Sequence, residues 1–480
     1  MPFSKIRSVL ICDGVDPVCG DILKKNGFNV ICQAKLSLEK LLSEIVKYDA
    51  LVVRSATKVT KEVMEAGTNL KLIARAGTGV DNIDCEAASR RGLIVMNAPG
   101  GNTLSAAEHT CALICSIARK IPQACASMKK GQWERKEFMG SELNGKTLAI
   151  LGLGRIGREA SEEFGVENMS LEDIWPQVDY ITVHTPLIPQ TKDLLNDEVF
   201  SNCKKGVFVV NCARGGIINE AALLRALESG QCGGAALDVF IQEPPTNIEL
   251  LNHPNTICTP HLGASTREAQ KRVALEIATQ LLDLVKNKGI NGLVNAPTLN
   301  QVMNEENKPW FELCHCLGVL GSSFMGQNNK NTLRNIRIDT CGEELFKKNK
   351  DFFSTSVLHG FLTKLKSQNV INVINTPVIA KETDLKVNVI QNDSPYPSHS
   401  RNDNSDEVLV TFDYGNYFMT VGGVVVGQSP VLCSIDGNEF RHPGVVMRGN
   451  VVIFKSDCCL DKIPMICGKL VPLKVQIFKL

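Results

Sequence analysis

The stretch Thr147-Leu148-Ala149-Ile150-Leu151-Gly152-Leu153-Gly154-Arg155-Ile156-Gly157 runs from aliphatic residues straight into a glycine-spaced turn. The aliphatic run predicts a buried strand, and the G-x-G-x-x-G spacing predicts a tight turn that opens a helix. Glycines there allow the turn and let a pyrophosphate approach the helix N-terminus, where backbone N–H groups are unpaired. A purely structural glycine turn is the plainer reading, and the strand in front of the motif weighs against it.

Further aliphatic runs at 181–184, 207–210, 235–237 and 256–258 continue this unit. Runs at 9–12, 30–31, 50–53, 72–74 and 94–96 make an earlier one. Short runs separated by amphipathic stretches predict βα units. The fold class is therefore α/β, with two Rossmann- or flavodoxin-like doubly wound parallel sheets. Residues 103–120 read as a long apolar helix, capped by Asn102 or Thr103 and stopped near Pro122. Residues 265–287 read as another, with Ala274, Ile277, Ala278, Leu281, Leu282 and Val285 on one stripe. Asn97-Ala98-Pro99 is echoed by Asn295-Ala296-Pro297. The chain should leave the first domain, build the second and return, so that two crossings form a hinge beside an interdomain cleft. Beyond about residue 310 the pattern weakens to an α+β region. There, 392–407 read as a polar, mobile loop, 408–427 as two strands, and 451 onward as a strand and a short helix.

Lys plus Arg number 52 and Asp plus Glu 51 in 480 residues, a net charge of +1. That balance argues against a nucleic-acid or membrane-surface partner. Eighteen scattered cysteines read as a reduced intracellular protein. Cys314-His315-Cys316 and Cys458-Cys459 lack paired ligand spacing and read as buried thiols, so no metal site is assigned. The first seven residues do not lead into a signal sequence, and no apolar run approaches the ~20 residues of a membrane span. A cytoplasmic location is expected.

Three residues downstream of the glycine motif carry the chemistry. Arg214 stands in Asn211-Cys212-Ala213-Arg214-Gly215-Gly216, Glu243 before Pro244-Pro245, and His261 in Thr259-Pro260-His261-Leu262-Gly263. A guanidinium fork grips a carboxylate. An imidazole moves a hydroxyl proton near neutral pH, and a neighbouring carboxylate fixes its tautomer. A 2-keto or 2-hydroxy acid dehydrogenase needs this set. Each residue alone could be an ordinary solvated or loop residue; their joint occurrence makes coincidence a poor account. Arg54 and Arg75 each end a strand, where ligand groups sit in such sheets, although an ordinary ion pair competes there.

A complete dinucleotide unit continues with a helix, a second strand and an acidic residue about 20 positions on that binds the ribose hydroxyls. No aliphatic run lies between Gly157 and Tyr180. Ser170 reads as the cap of a short helix. Asp179 stands at a tempting distance, but it precedes the 181–184 strand and is not assigned to the ribose.

With Leu51-Val52-Val53-Arg54-Ser55-Ala56-Thr57, residues 75–82, Trp133-Glu134-Arg135-Lys136 and Gly427-Gln428-Ser429-Pro430-Val431-Leu432, these motifs make the chain resemble the D-2-hydroxyacid dehydrogenases. The resemblance is strongest to their phosphoglycerate dehydrogenase branch, close over 1–310 and looser to about 465. It implies NAD-dependent oxidation of 3-phosphoglycerate to 3-phosphohydroxypyruvate, the entry step of serine synthesis. It also implies a homo-oligomer, dimer or tetramer, with residues 103–120 near the dimer contact. Arg214 would bind the substrate carboxylate, His261 would be the general acid/base and Glu243 its partner. Arg54, Arg75, Arg135 and Asn102 would bind the substrate. Gly152, Gly154, Gly157, Thr78, Arg155, Ile156, Thr185, Cys212, Ala213, Arg214, Asp238, His261 and Gly263 would bind or line the NAD cofactor. The implied parts are a substrate domain of 1–100 and 290–310, a cofactor domain of 101–289, an α+β domain of 311–450 and a truncated ACT-like regulatory segment of 451–480.

Two departures from the family pattern stand out. The rest of the fingerprint helix, the second strand and its terminal acid are missing between Ser161 and Phe164, and the final regulatory domain is shortened. Two rival readings follow. One is a glyoxylate or hydroxypyruvate reductase with the same Arg/Glu/His set. The other is a cofactor-impaired, non-catalytic subunit.

Overall fold

The computed structural model describes residues 6–160, 166–325, 333–342, 349–365, 371–392, 406–415, 417–441, 444–454 and 475–479. The expected loop at 392–407, Cys458-Cys459 and most of the expected terminal segment lie largely outside the described residues.

The first sheet is wholly parallel, in the order β2-β1-β3-β4-β5. Its strands are β1 (Ser8–Ile11), β2 (Asn29–Cys32), β3 (Ala50–Val53), β4 (Leu72–Arg75) and β5 (Ile94–Asn97). The central strand β3 is buried throughout, as a sheet covered by helices on both faces requires. At the N-terminal edge Asp49 accepts hydrogen bonds from Arg7 N, Ser8 N and the Ser8 hydroxyl and pairs with Lys71 Nζ at 2.6 Å. One carboxylate thus sets the level of β1, β3 and β4, whose far ends deliver Asp13, Arg54 and Arg75.

The second sheet is also parallel, in the order β10-β9-β8-β7-β6. Its strands are β6 (Leu148–Leu151), β7 (Tyr180–Val183), β8 (Val207–Asn211), β9 (Cys232–Leu237) and β10 (Thr256–Cys258). The residues between β6 and β7 suffice for the parallel crossover. Among the described residues no strand flanks β6 on its other side, and Leu148 at its start is 41% exposed. Ser170 caps the short Leu171–Ile174 helix by accepting from Asp173 N.

The two long helices exchange sheets. Leu113, Ile114 and Ile117 of the Thr103–Ala118 helix pack on the second sheet with Tyr180, Val210 and Ala236. The Arg267–Val285 helix follows the second sheet in sequence but buries Val273, Ala274, Ile277, Ala278, Leu281 and Leu284 in the core of the first. The return crossing is bonded to β5: Met96 and Leu293 form an antiparallel bridge, Asn97 N donates to Gly292 O and Val294 N to Val95 O. Asn295 fills the corner, its Oδ1 accepting from Val95 N and its Nδ2 donating to Ser89 Oγ and Leu93 O.

The C-terminal module is a mixed seven-stranded sheet with the Lys308–Met325 and Lys350–Leu365 helices packed on it. The expected pair of strands is Glu407–Asp413 and Phe418–Val426. The module fastens to the first sheet through Asn372 Nδ2, which donates to Gly92 O, and through the Arg90–Glu382 ion pair. The strand expected at 451 is Asn450–Phe454, which pairs in parallel with Val475–Lys479.

Burial raises the Asp49 pKa, but Lys71, the Ser8 and Arg7 N–H groups and the Ser8 hydroxyl together hold it at about 2. A depressed carboxylate stabilises the fold above its unfolded value of 3.8 and loses that contribution as the pH falls through the folded value. Asp49→Asn should therefore cost about 1–2 kcal/mol at neutral pH, allowing for partial exposure. It should also flatten the loss of stability between about pH 4 and pH 2, measured by denaturant unfolding.

Candidate active site

The carboxyl ends of both sheets face one cleft of about 860 Å³. Ligands bind at this end of open parallel sheets. The glycine motif turns as its spacing predicts. Gly152 has φ +106°, and a Cβ there would meet His184 O at 2.9 Å. A Cβ on Gly157 would lie 2.1 Å from Gly152 O, so this glycine lets the Arg155–Glu159 helix press against the strand end. Nothing lies within 4 Å of a Cβ built on Gly154, which leaves a bare backbone cradle open to a ligand. Arg155 and Ile156 line the cleft next to it. Beside Gly152 the buried Thr185 hydroxyl has no hydrogen-bond partner. A dinucleotide pyrophosphate fits this cradle.

Arg214 follows β8. Its Nε donates to Asp81 Oδ2 at 3.0 Å and its Nη1 to Ala213 O at 2.6 Å. Asn211 shapes the turn, accepting from Ala213 N and donating to Arg214 O. Gly79 is required opposite: a Cβ there would lie 1.7 Å from Arg214 Nη2. Gly215 lets the next loop close in, since its Cβ would meet Phe240 O at 1.9 Å. That loop carries Glu243, whose Oε1 accepts from Phe240 N and whose Oε2 lies 2.8 Å from His261 Nδ1. His261 has φ +55°, a left-handed conformation that a non-glycine residue adopts at some cost.

Asp238 at the end of β9 holds the His261 turn. Its fully buried carboxylate accepts from Thr259 Oγ1 at 2.6 Å, Leu262 N at 2.7 Å and Gly263 N at 2.8 Å, and His109 Nε2 lies 3.2 Å away. Burial pushes its pKa up, but His109, Thr259 and the two N–H groups outweigh that and hold it below the ordinary range.

Arg54, Arg75 and Arg214 line the cleft together with Lys58. Neither Arg54 nor Arg75 forms an ion pair among the described residues, and Arg75 Nε is buried without an acceptor. Burial lowers the Arg75 pKa to about 10, with Arg214 and then Arg54 adding repulsion against the attraction of Asp81. A half-buried like-charged cluster of this kind suits an anion. Asn102 accepts a hydrogen bond from the Thr78 hydroxyl at 2.5 Å, so these two expected residues meet at the cleft.

Arg135 does not join them. It is exposed on the segment after the Ile121–Lys129 helix, beside Trp133 and Met139, which are 75% and 77% exposed. Asp179 accepts from Thr147 N and pairs with Lys204 at the opposite edge of the sheet, away from any ribose. The cleft also contains His184, Asp81 and Lys58, which the sequence reading did not single out, and His109 stands behind it. Burial lowers the His184 pKa to about 4, so it stays neutral and is no rival to His261 as a proton carrier. Cys212 is pushed up to about 12, chiefly by burial, and is no nucleophile. Among the described residues no group of three or more His, Cys, Asp or Glu side chains could hold a metal ion, and no helix is long and apolar enough to cross a membrane.

The chain belongs to the D-isomer specific 2-hydroxyacid dehydrogenase family, whose catalytic-domain model matches residues 9–295. The model of the D-3-phosphoglycerate dehydrogenase intervening domain matches residues 306–435. The chain is 47% identical to human D-3-phosphoglycerate dehydrogenase over 470 aligned positions, covering 93% of this chain and 86% of the relative. It is 42% identical to the Bacillus subtilis protein of the same name, covering 78% and 74%. The human alignment runs over more positions than 93% of this 480-residue chain supplies, so the relative has residues that this chain lacks. Among solved structures, the TT0316 protein from Thermus thermophilus is 31% identical with a TM-score of 0.55, covering 60% of this chain and 99% of that one. D-Lactate dehydrogenase from Aquifex aeolicus, complexed with NAD and lactic acid, is 26% identical with a TM-score of 0.52, covering 58% and 95%.

The glycines separate fold from binding. Gly157→Ala should lower the melting temperature and abolish NADH binding. Gly154→Ala should melt as the parent does yet bind NADH about tenfold more weakly, by calorimetric titration.

Proposed function

We propose that this chain catalyses NAD-dependent oxidation of 3-phosphoglycerate to 3-phosphohydroxypyruvate, the first step of L-serine biosynthesis, as a cytoplasmic homo-oligomer. The reading rests on one observation above the others: the Glu243–His261 pair faces a cleft that also holds the guanidiniums of Arg54, Arg75 and Arg214. The names of the relatives and the match to the intervening domain agree with it.

Arg214 keeps Nη2 clear of its bonds to Asp81 and Ala213 and presents it to the substrate carboxylate. Arg54 and Arg75 supply charge for the phosphate. Glu243 at Nδ1 of His261 favours the tautomer with its proton on that side, leaving Nε2 to take the C2 hydroxyl proton. NAD, when bound, accepts the hydride from C2. The Gly152–Gly157 turn, Arg155, Ile156, Thr78, Thr185, Cys212, Ala213, Asp238 and Gly263 would hold it. Residues 1–100 and 290–310 would act as the substrate domain and 101–289 as the cofactor domain.

Arg135 sits too exposed to serve its own cleft; in an oligomer built on the Trp133–Met139 surface it would be offered to a neighbouring subunit. One observation favours a second reading, a cofactor-impaired subunit: among the described residues β6 ends the sheet where a complete fold places the ribose-binding strand.

Two measurements test these readings. His261→Ala should abolish turnover, and retained turnover would remove His261 as the acid/base. The parent should show a raised KM for NAD, because among the described residues no acid replaces the ribose acceptor; an ordinary KM would overturn that expectation.

A further inference from the structure

His109 lies on the Thr103–Ala118 helix, mostly buried, with Nε2 3.2 Å from Asp238 Oδ1 and 3.3 Å from Thr259 Oγ1. Its proton can be placed by elimination. The Thr259 hydroxyl has one hydrogen and gives it to Asp238 Oδ1 at 2.6 Å. Toward His109 that hydroxyl can then only accept, and an ionised carboxylate accepts as well. Nε2 of His109 therefore carries the hydrogen.

The other side-chain bonds of Asp238 go to Thr259, Leu262 and Gly263, all members of the turn that carries His261. His261 N is also bonded to the backbone oxygens of Asp238 and Thr259. His109 thus adds a side-chain tie between this network and another element. It connects the turn to a helix whose first residue follows Asn102, itself bonded to Thr78 across the cleft. We propose that His109 is a positioning residue for proton transfer at His261, acting through the buried Asp238 carboxylate that it anchors to the Thr103–Ala118 helix. Without its donor the carboxylate keeps its bonds to the turn, and its backbone keeps the bond to Asn211 O, but the side-chain tie to the helix is lost. The strained His261 backbone can then relax, and the ring drifts from the line between Glu243 and the substrate. Misplacement of a catalytic group by about 1 Å costs up to about a hundredfold in rate.

The inference rests on His261 as the acid/base, so the test separates the two. Full-length His109→Leu, His109→Gln and His261→Ala chains are compared with 3-phosphohydroxypyruvate and NADH. His109→Leu should lower kcat about tenfold to a hundredfold while KM for the keto acid changes less than about threefold. His109→Gln keeps a side-chain N–H donor and should recover most of kcat. Should the leucine chain not fold, His109→Asn, whose amide is too short to reach Asp238, takes its place. A folded leucine or asparagine variant with unchanged kcat overturns the inference, as does a glutamine variant equally slow. Turnover in His261→Ala overturns the acid/base reading instead. Histidine-labelled NMR of the same chains reads the effect without turnover: the His261 ring signals should shift in His109→Leu and hold in His109→Gln. Unshifted signals in His109→Leu count against the proposal.

Discussion

Two stretches of backbone, one leaving the first sheet at Asn97 and one returning at Leu293, are bonded to each other, and the shape of the cleft depends on that bond. Gly292 makes it possible: its φ is +80°, and a Cβ there would lie 2.3 Å from Asn97 O. The Asn97 side chain in turn donates to Thr78 O. The residue that sets the crossing therefore also sets the loop that carries Thr78 and Asp81 toward Arg214. Asn372 of the C-terminal module grips Gly92, just before β5 in sequence, so that module bears on the same corner.

Much of this was legible in the sequence, because parallel sheets and glycine turns leave strong local signatures. The aliphatic runs became the strands, and the echo of Asn97-Ala98-Pro99 in Asn295-Ala296-Pro297 marked the two crossings. Asp179, which precedes a strand, lies at the edge of the sheet opposite the cleft. What sequence could not supply were pairings across long separations. Asp81 meets Arg214, and His109 meets Asp238, more than a hundred residues away. His109 left one faint sign, the only imidazole on a mainly apolar helix. Arg135 shows the reverse limit: a motif carries a residue type but not the surface on which one chain displays it. The exchange of the two long helices between sheets was equally hidden, because an apolar stripe does not say which sheet it covers.

The shortened second sheet shows how separable the parts of a dinucleotide fold are. Thr185, Arg214, Asp238 and His261 follow β7, β8, β9 and β10, all on one side of β6. The loops after β8, β9 and β10 are braced by bonds on that side of the sheet. The edge strand keeps one neighbour and one covered face, with Trp175 and Val178 closing the core beneath it. A cut at the margin of a parallel sheet can thus leave the chemistry standing while it removes one wall of the cofactor trough.

The arginine cluster has a practical consequence. Arg214 and Arg54 both repel Arg75 in a half-dry cleft, and Asp81, which pairs with Arg214, is itself 71% exposed. A small oxyanion that bound there would relieve this repulsion and stabilise the folded chain by mass action. Phosphate or sulfate in a buffer is then a competitor in assays and a stabiliser during storage. Preparations made in such salts and in neutral amine buffers would behave as two different starting materials.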